Sequence, residues 1–115
     1  MTLTGPPPPP TVDDFATTLD RVVDRLRTLG ESRLLRHDAA TGLSLSEQVH
    51  RLVVEWAHLV AGPEVPEPPR LAPLASGDQL AVLGRDVLEA WRAGRLDEAS
   101  QRRAAEGLDA VRRVA

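Results

Sequence analysis

The chain of 115 residues has no cysteine, tyrosine, lysine or asparagine, and only three aromatic side chains, Phe15, Trp56 and Trp91. Without cysteine there is no disulfide framework, no thiol nucleophile and no cysteine zinc site, and a reducing, cytoplasmic home is expected. Without asparagine the favoured Asn-Gly hairpin turn is missing. β-Branched and aromatic strand formers are sparse apart from Val, and no stretch alternates for long with the period of a strand. A basic excess is also missing, because 14 arginines face 17 acids for a formal net charge of −3. Proteins that hold nucleic acid or an anionic membrane draw much of their affinity from such an excess, so neither partner is expected. No apolar run approaches the roughly 18 residues of a membrane span. Met1–Pro10 has neither the basic start nor the apolar centre of a secretory signal.

Hydrophobic residues make up 42% of the sequence. With so few aromatics, the core has to be built from Leu, Val and Ala, which suits closely packed helices. Arginine to the exclusion of lysine, beside abundant Ala, Gly, Pro, Val and Leu, points to a bacterial, high-GC coding bias. The length matches one domain. The expected fold is all-α, a small helical bundle of about four helices, with two helical hairpins joined by a Pro-rich connector. Residues 1–10 read as a disordered Pro-rich tail and 11–115 as a single helical domain. Within it, 11–61 form the first hairpin, 62–75 the connector and 76–115 the second hairpin. Pro6–Pro10 would be extended, because proline fixes φ and lacks a backbone donor.

The first helix is capped by Thr11, with Asp13 and Asp14 at its positive end. Val12, Phe15, Ala16, Leu19, Val22, Val23, Leu26 and Leu29 form one apolar stripe. Gly30 is expected to end this helix in a left-handed conformation, and Arg33–His37 to form a further short turn. Ser44 and Glu47 have capping-box spacing ahead of a second helix that buries Leu45, Val49, Leu52, Val53, Trp56, Leu59 and Val60 and stops at Gly62-Pro63. Ser76 and Gln79 repeat the spacing ahead of a third helix, whose Leu80, Leu83, Val87, Leu88 and Trp91 face inward. Gly84 within it marks either a close backbone approach or a tolerated cost of about 1 kcal/mol. A fourth helix runs from about Leu96 to Val114, with Ala99, Ala104, Leu108 and Val111 apolar and Gly107 in its interior. Before it, Ala93–Ala99 (Ala-Gly-Arg-Leu-Asp-Glu-Ala) resembles the helix-to-helix turn of tetratricopeptide repeats. The resemblance covers about one hairpin of a repeat of roughly 34 residues. Leu83 stands where that pattern often has Trp, Asp86 and Val87 where it has Leu-Gly, and Arg103 replaces a bulky aromatic. It implies hairpin geometry, and no second copy is present.

Glu55 and His58 form a Glu-x-x-His, which places a carboxylate and an imidazole on one helix face, as in carboxylate-bridged di-iron bundles. A single copy completes such a site only if two chains meet about a two-fold axis and each adds Asp20 or Asp24. That arrangement resembles the half-site of short ferritin-like proteins. The same residues read equally as a salt-bridge stripe of Glu47, Arg51, Glu55 and His58, with His58 near a helix C-terminus. His50 and His58 would border one shallow surface around Val54. Trp56 and Trp91 are core anchors or, if exposed, interface anchors together with Leu108 and Val111, with Arg102–Arg103 and Arg112–Arg113 beside them.

No glycine-rich phosphate loop or Gly-x-Ser-x-Gly elbow is present, so no catalytic residue, cofactor or small-molecule substrate is expected. The leading expectation is a non-enzymatic helical protein-protein interaction module or small accessory subunit, either self-associating as a dimer or docking on a larger protein. A metal-binding helical protein centred on Glu55 and His58 is the alternative. A third reading, a DNA-binding regulator using the turn at Ala39–Leu45, is weakened by the single arginine in Leu45–Val60.

Overall fold

The computed structural model describes residues 8–115; Met1–Pro7, most of the expected tail, lie outside the described residues. The fold is the expected all-α small bundle. Its elements are α1 (Val12–Thr28), a one-turn α2 (Glu31–Leu34), α3 (Leu45–Ala61), a 3₁₀ turn (Pro73–Ala75), α4 (Ser76–Arg92) and α5 (Glu98–Val114).

Local chemistry sets most of the helix ends. The Asp14 N–H donates to the Thr11 hydroxyl at 3.1 Å, and the Glu47 N–H to the Ser44 hydroxyl at 3.1 Å. The Ser100 N–H donates to the Asp97 carboxylate at 2.7 Å; that backbone bond holds the Asp97 carboxyl below its ordinary range. Two ends depart from expectation. Gly30 is not left-handed: at φ −76° it is the N-cap of α2, so the chain re-enters a helix immediately after α1. Ser76 is not a cap, because the 3₁₀ turn runs straight into α4 and makes Ser76 its first residue. Its hydroxyl donates instead to the Pro73 carbonyl at 2.6 Å, and the Gln79 amide donates to the Pro69 carbonyl at 2.9 Å. Both side chains tie the connector to α4. The left-handed residue appears at Gly94, φ +73°, where the Gly94 and Arg95 N–H groups donate to the Trp91 and Ala90 carbonyls. This closes α4 with a Schellman turn.

The long helices interlock across the two halves: α4 packs against α1 and α3, and α5 packs against α3 and α1. Residue pairings give the directions. Gly84 meets Leu19 and Gly77 meets Arg27, so α1 and α4 are antiparallel; Gly107 meets Leu52 and Ser100 and Arg103 share a groove with Glu55 and His58, so α3 and α5 are antiparallel. The Arg25 side chain donates to the Ala115 carbonyl at 3.1 Å, while Phe15 lies beside Ala105 and Leu108, so α1 and α5 are parallel. It follows that α3 and α4 are parallel, and the connector must return the chain along the whole bundle. A 17-residue helix is about 25 Å long. Proline-fixed chain advances about 3.1 Å per residue, so Gly62–Ala72 suffices. The prolines thus supply a stiff crossover connection.

One apolar cluster contains residues of every helix. At one end of it Phe15 packs edge-on to Trp56 with ring centroids 5.6 Å apart, and against Trp91 at 5.4 Å. What approaches Gly84 is a side chain and not a backbone: a Cβ there would lie 2.5 Å and 2.6 Å from the two Leu19 methyl carbons. Leu83, Leu88 and Trp91 are half-buried, and Ala99 is exposed rather than inward-facing.

Candidate interaction surfaces

The sequence-derived site residues do not converge on one centre. Glu55 and His58 face α5 across an open groove of 530 Å³, lined also by Arg51, Val54, Leu59, Pro63, Ser100 and Arg103. Asp20 and Asp24, the acids considered for completing a metal site, lie on the other seam, where they line a hollow between α1 and α4 with Arg27 and Arg85. Among the described residues no three His, Asp or Glu side chains converge as metal ligands. The groove chemistry also opposes a divalent cation, because the guanidinium groups of Arg51 and Arg103 stand beside Glu55. His58 and Val54 line the groove but His50 does not, so the two imidazoles do not share that surface. His50 Nδ1 is buried without a hydrogen-bond partner among the described residues.

The expected ion-pair stripe on α3 is not made either. Among the described residues the salt bridges are Arg27–Asp78 between α1 and α4, and Arg102–Glu98, Arg112–Asp109 and Arg113–Asp109 within α5. Asp109 accepts from both arginines at 2.6–3.0 Å. Arg112 first and Arg113 second hold its carboxyl below the usual carboxylate range. Arg51, Glu55 and Arg103 take part in none of these pairs.

The proposed interface anchors are mostly interior. Trp56 is fully buried, Leu108 and Val111 are buried, and only Trp91 is half-exposed. These first three therefore serve the chain's own core and offer no face to a partner. The Trp56 indole N–H is buried without an acceptor among the described residues. At Ala39–Leu45 the chain forms a tight loop, with the Asp38 N–H on the Leu43 carbonyl at 2.8 Å. It comes after a helix of a single turn and precedes α3, on which Arg51 is the one arginine. Pro8 and Pro10 border a shallow hollow over α5 with Arg102, Ala105, Glu106, Asp109 and Arg113.

The surface that sequence reasoning missed is a corner of the bundle. Leu35 (46% exposed), Leu71 (45%) and Leu74 (61%) present large apolar side chains to solvent, as does Val82 on α4 (58%). Leu74 lies in the 3₁₀ turn, Leu35 directly after α2 and Leu71 two residues before the turn, and α2 packs on that turn; Leu34, next to Leu35, is buried. Arg33, Arg36 and Arg70 adjoin them in sequence, and none is in an ion pair among the described residues. The signal lay in Leu34-Leu35, because a single helical turn can turn only one of two adjacent leucines inward. No helix of the described residues is long and apolar enough to cross a membrane. No family model, curated protein or solved structure matches the chain.

Proposed function

We propose that this chain is a helical protein-protein interaction module of the cytoplasm, acting by docking and not by catalysis. The observation that supports this reading is the apolar corner of Leu35, Leu71 and Leu74. An exposed leucine on its own needs no explanation, but several gathered at one junction of a small domain mark a surface that a partner covers. Fully burying a leucine contributes about 1.5–3 kcal/mol, and these three are about half exposed, so covering them adds roughly half of that each, enough for the centre of a modest interface.

The test is absolute mass by light scattering over a range of protein concentrations, with uptake of an apolar fluorescent dye read on the same samples. The wild-type chain is expected to gain mass with concentration or to take up dye. The L35S/L71S/L74S variant should stay monomeric and dark with an unchanged helical spectrum. A wild-type chain that is monomeric throughout and takes up no more dye than the variant overturns the reading.

A further inference from the structure

We infer that the groove between α3 and α5 is a second docking surface, one that receives the carboxylates of an acidic, partly apolar segment of a partner protein. The inference goes beyond the apolar corner, which is built from other elements.

Charge complementarity carries it. Three of the four arginines on α5 are engaged by acids of their own helix. Arg103 alone makes no ion pair, its charge acting only at a distance on the Asp97 carboxylate, and it lines the groove together with Arg51, which is likewise in no ion pair among the described residues. His58 adds an imidazole N–H donor, against the single carboxylate of Glu55. Guanidinium groups bind carboxylates through two parallel N–H donors, which fixes orientation as well as affinity.

The shape selects the occupant. Val54, Leu59 and Pro63 give the groove apolar walls, and it is open along its length, so it fits a segment laid across it better than an enclosed small molecule. Arg51 and His58 lie two turns apart on α3, about 10 Å, a distance matched by two acidic side chains that are likewise two turns apart on a docked helix. A polyphosphate backbone fits less well. Glu55 stands inside the groove, and Asp97 and Glu98 open the adjoining end of α5, which opposes a continuous line of negative charge.

The experiment is an NMR titration of the isotope-labelled full chain with a helical peptide that carries two Glu residues seven positions apart on one face and Leu between them. The same peptide with Lys for Glu, and a short DNA duplex, are titrated in parallel. The acidic peptide is expected to shift the amides around Arg51, Val54, His58, Ser100 and Arg103, and to bind less tightly as salt rises. Arg51→Glu with Arg103→Glu should weaken it by about tenfold without changing the thermal midpoint, since neither side chain is buried or paired. Absence of binding, shifts centred on other arginines, or an affinity unchanged in the double variant would overturn the proposal. Equal or tighter binding of the Lys peptide or of DNA at the same amides would overturn its assignment to an acidic protein segment. The corner is read by mass and dye uptake, so either surface can fail alone.

Discussion

The two antiparallel seams of the bundle use the same packing device and differ at their rims. In the α1–α4 seam Leu19 fills the space left open at Gly84, and Arg27 reaches Asp78 at 2.9 Å to bridge the helices. In the α3–α5 seam Leu52 fills the space at Gly107, but Arg51, Glu55 and Arg103 make no bridge and a groove remains. Glycine lets two helices approach wherever a leucine sits opposite. Whether the rim then closes depends on where the charges fall. The first seam is bridged by an ion pair beside a hollow that Asp20, Asp24 and Arg85 line, whereas the second has no bridge and a wider groove.

The largest expected contrast between the seams is at their glycines. At Gly84 a new Cβ would meet both Leu19 methyl carbons and, at 3.1 Å, the carbon that bears them, so the whole side chain must move within a packed core. Overpacking of this kind costs about 1–3 kcal/mol, more than the roughly 1 kcal/mol gained in helix propensity. Gly84→Ala should therefore lower stability by about 1 kcal/mol in chemical denaturation. At Gly107 a Cβ would crowd one Leu52 methyl at 2.5 Å, the next atom being 3.9 Å away, so only the far end of that flexible side chain has to turn. Gly107→Ala is expected to be within about 0.5 kcal/mol of neutral, because the propensity gain offsets the crowding. Equal losses at the two positions would break the comparison.

A smaller effect concerns the ion pairs that α5 keeps to itself. The Asp109 pKa is depressed by Arg112 and Arg113, so its contribution is complete above the unfolded carboxylate value of about 3.9 and is lost as pH falls through the lower folded value. Asp109 and both arginines are solvent-exposed to a large degree, so solvent screening keeps the contribution to about 0.5 kcal/mol or less. Asp109→Asn should reproduce that loss at neutral pH and show a weaker acid dependence below pH ~4 in a urea series.

Features settled by neighbours in sequence were legible from the start. The Thr11 and Ser44 caps, the stripes of α1 and α3, and the Gly94 turn all rest on contacts within a few residues. Gly30 and Ser76 were misread because an adjoining short helix decided the role of each: α2 begins directly after Gly30, and the 3₁₀ turn at Pro73 already supplies the first bonds of α4. The interlocking of the halves was not legible, since nothing local says that Leu19 meets Gly84 or that Leu52 meets Gly107. The weak apolar pattern of α5 has the same origin, because its small residues and Gly107 are what admit Leu52. Of the candidate site, Glu55 and His58 were visible as a spacing. Their companion Arg103, which turns the groove from a cation site toward an anion site, comes from 45 residues further on.

That the α1–α4 seam is held by an ion pair and the α3–α5 seam is not is tested most directly by the distance across each. The chain lacks cysteine, so pairs of spin labels can be placed cleanly at exposed positions, Thr17 with Glu89 across α1–α4 and Ala61 with Ala99 across α3–α5. Pulsed dipolar spectroscopy should return one narrow distance distribution for the first pair and a broader one for the second. Distributions of equal width, or a broader one across α1–α4, would contradict the account.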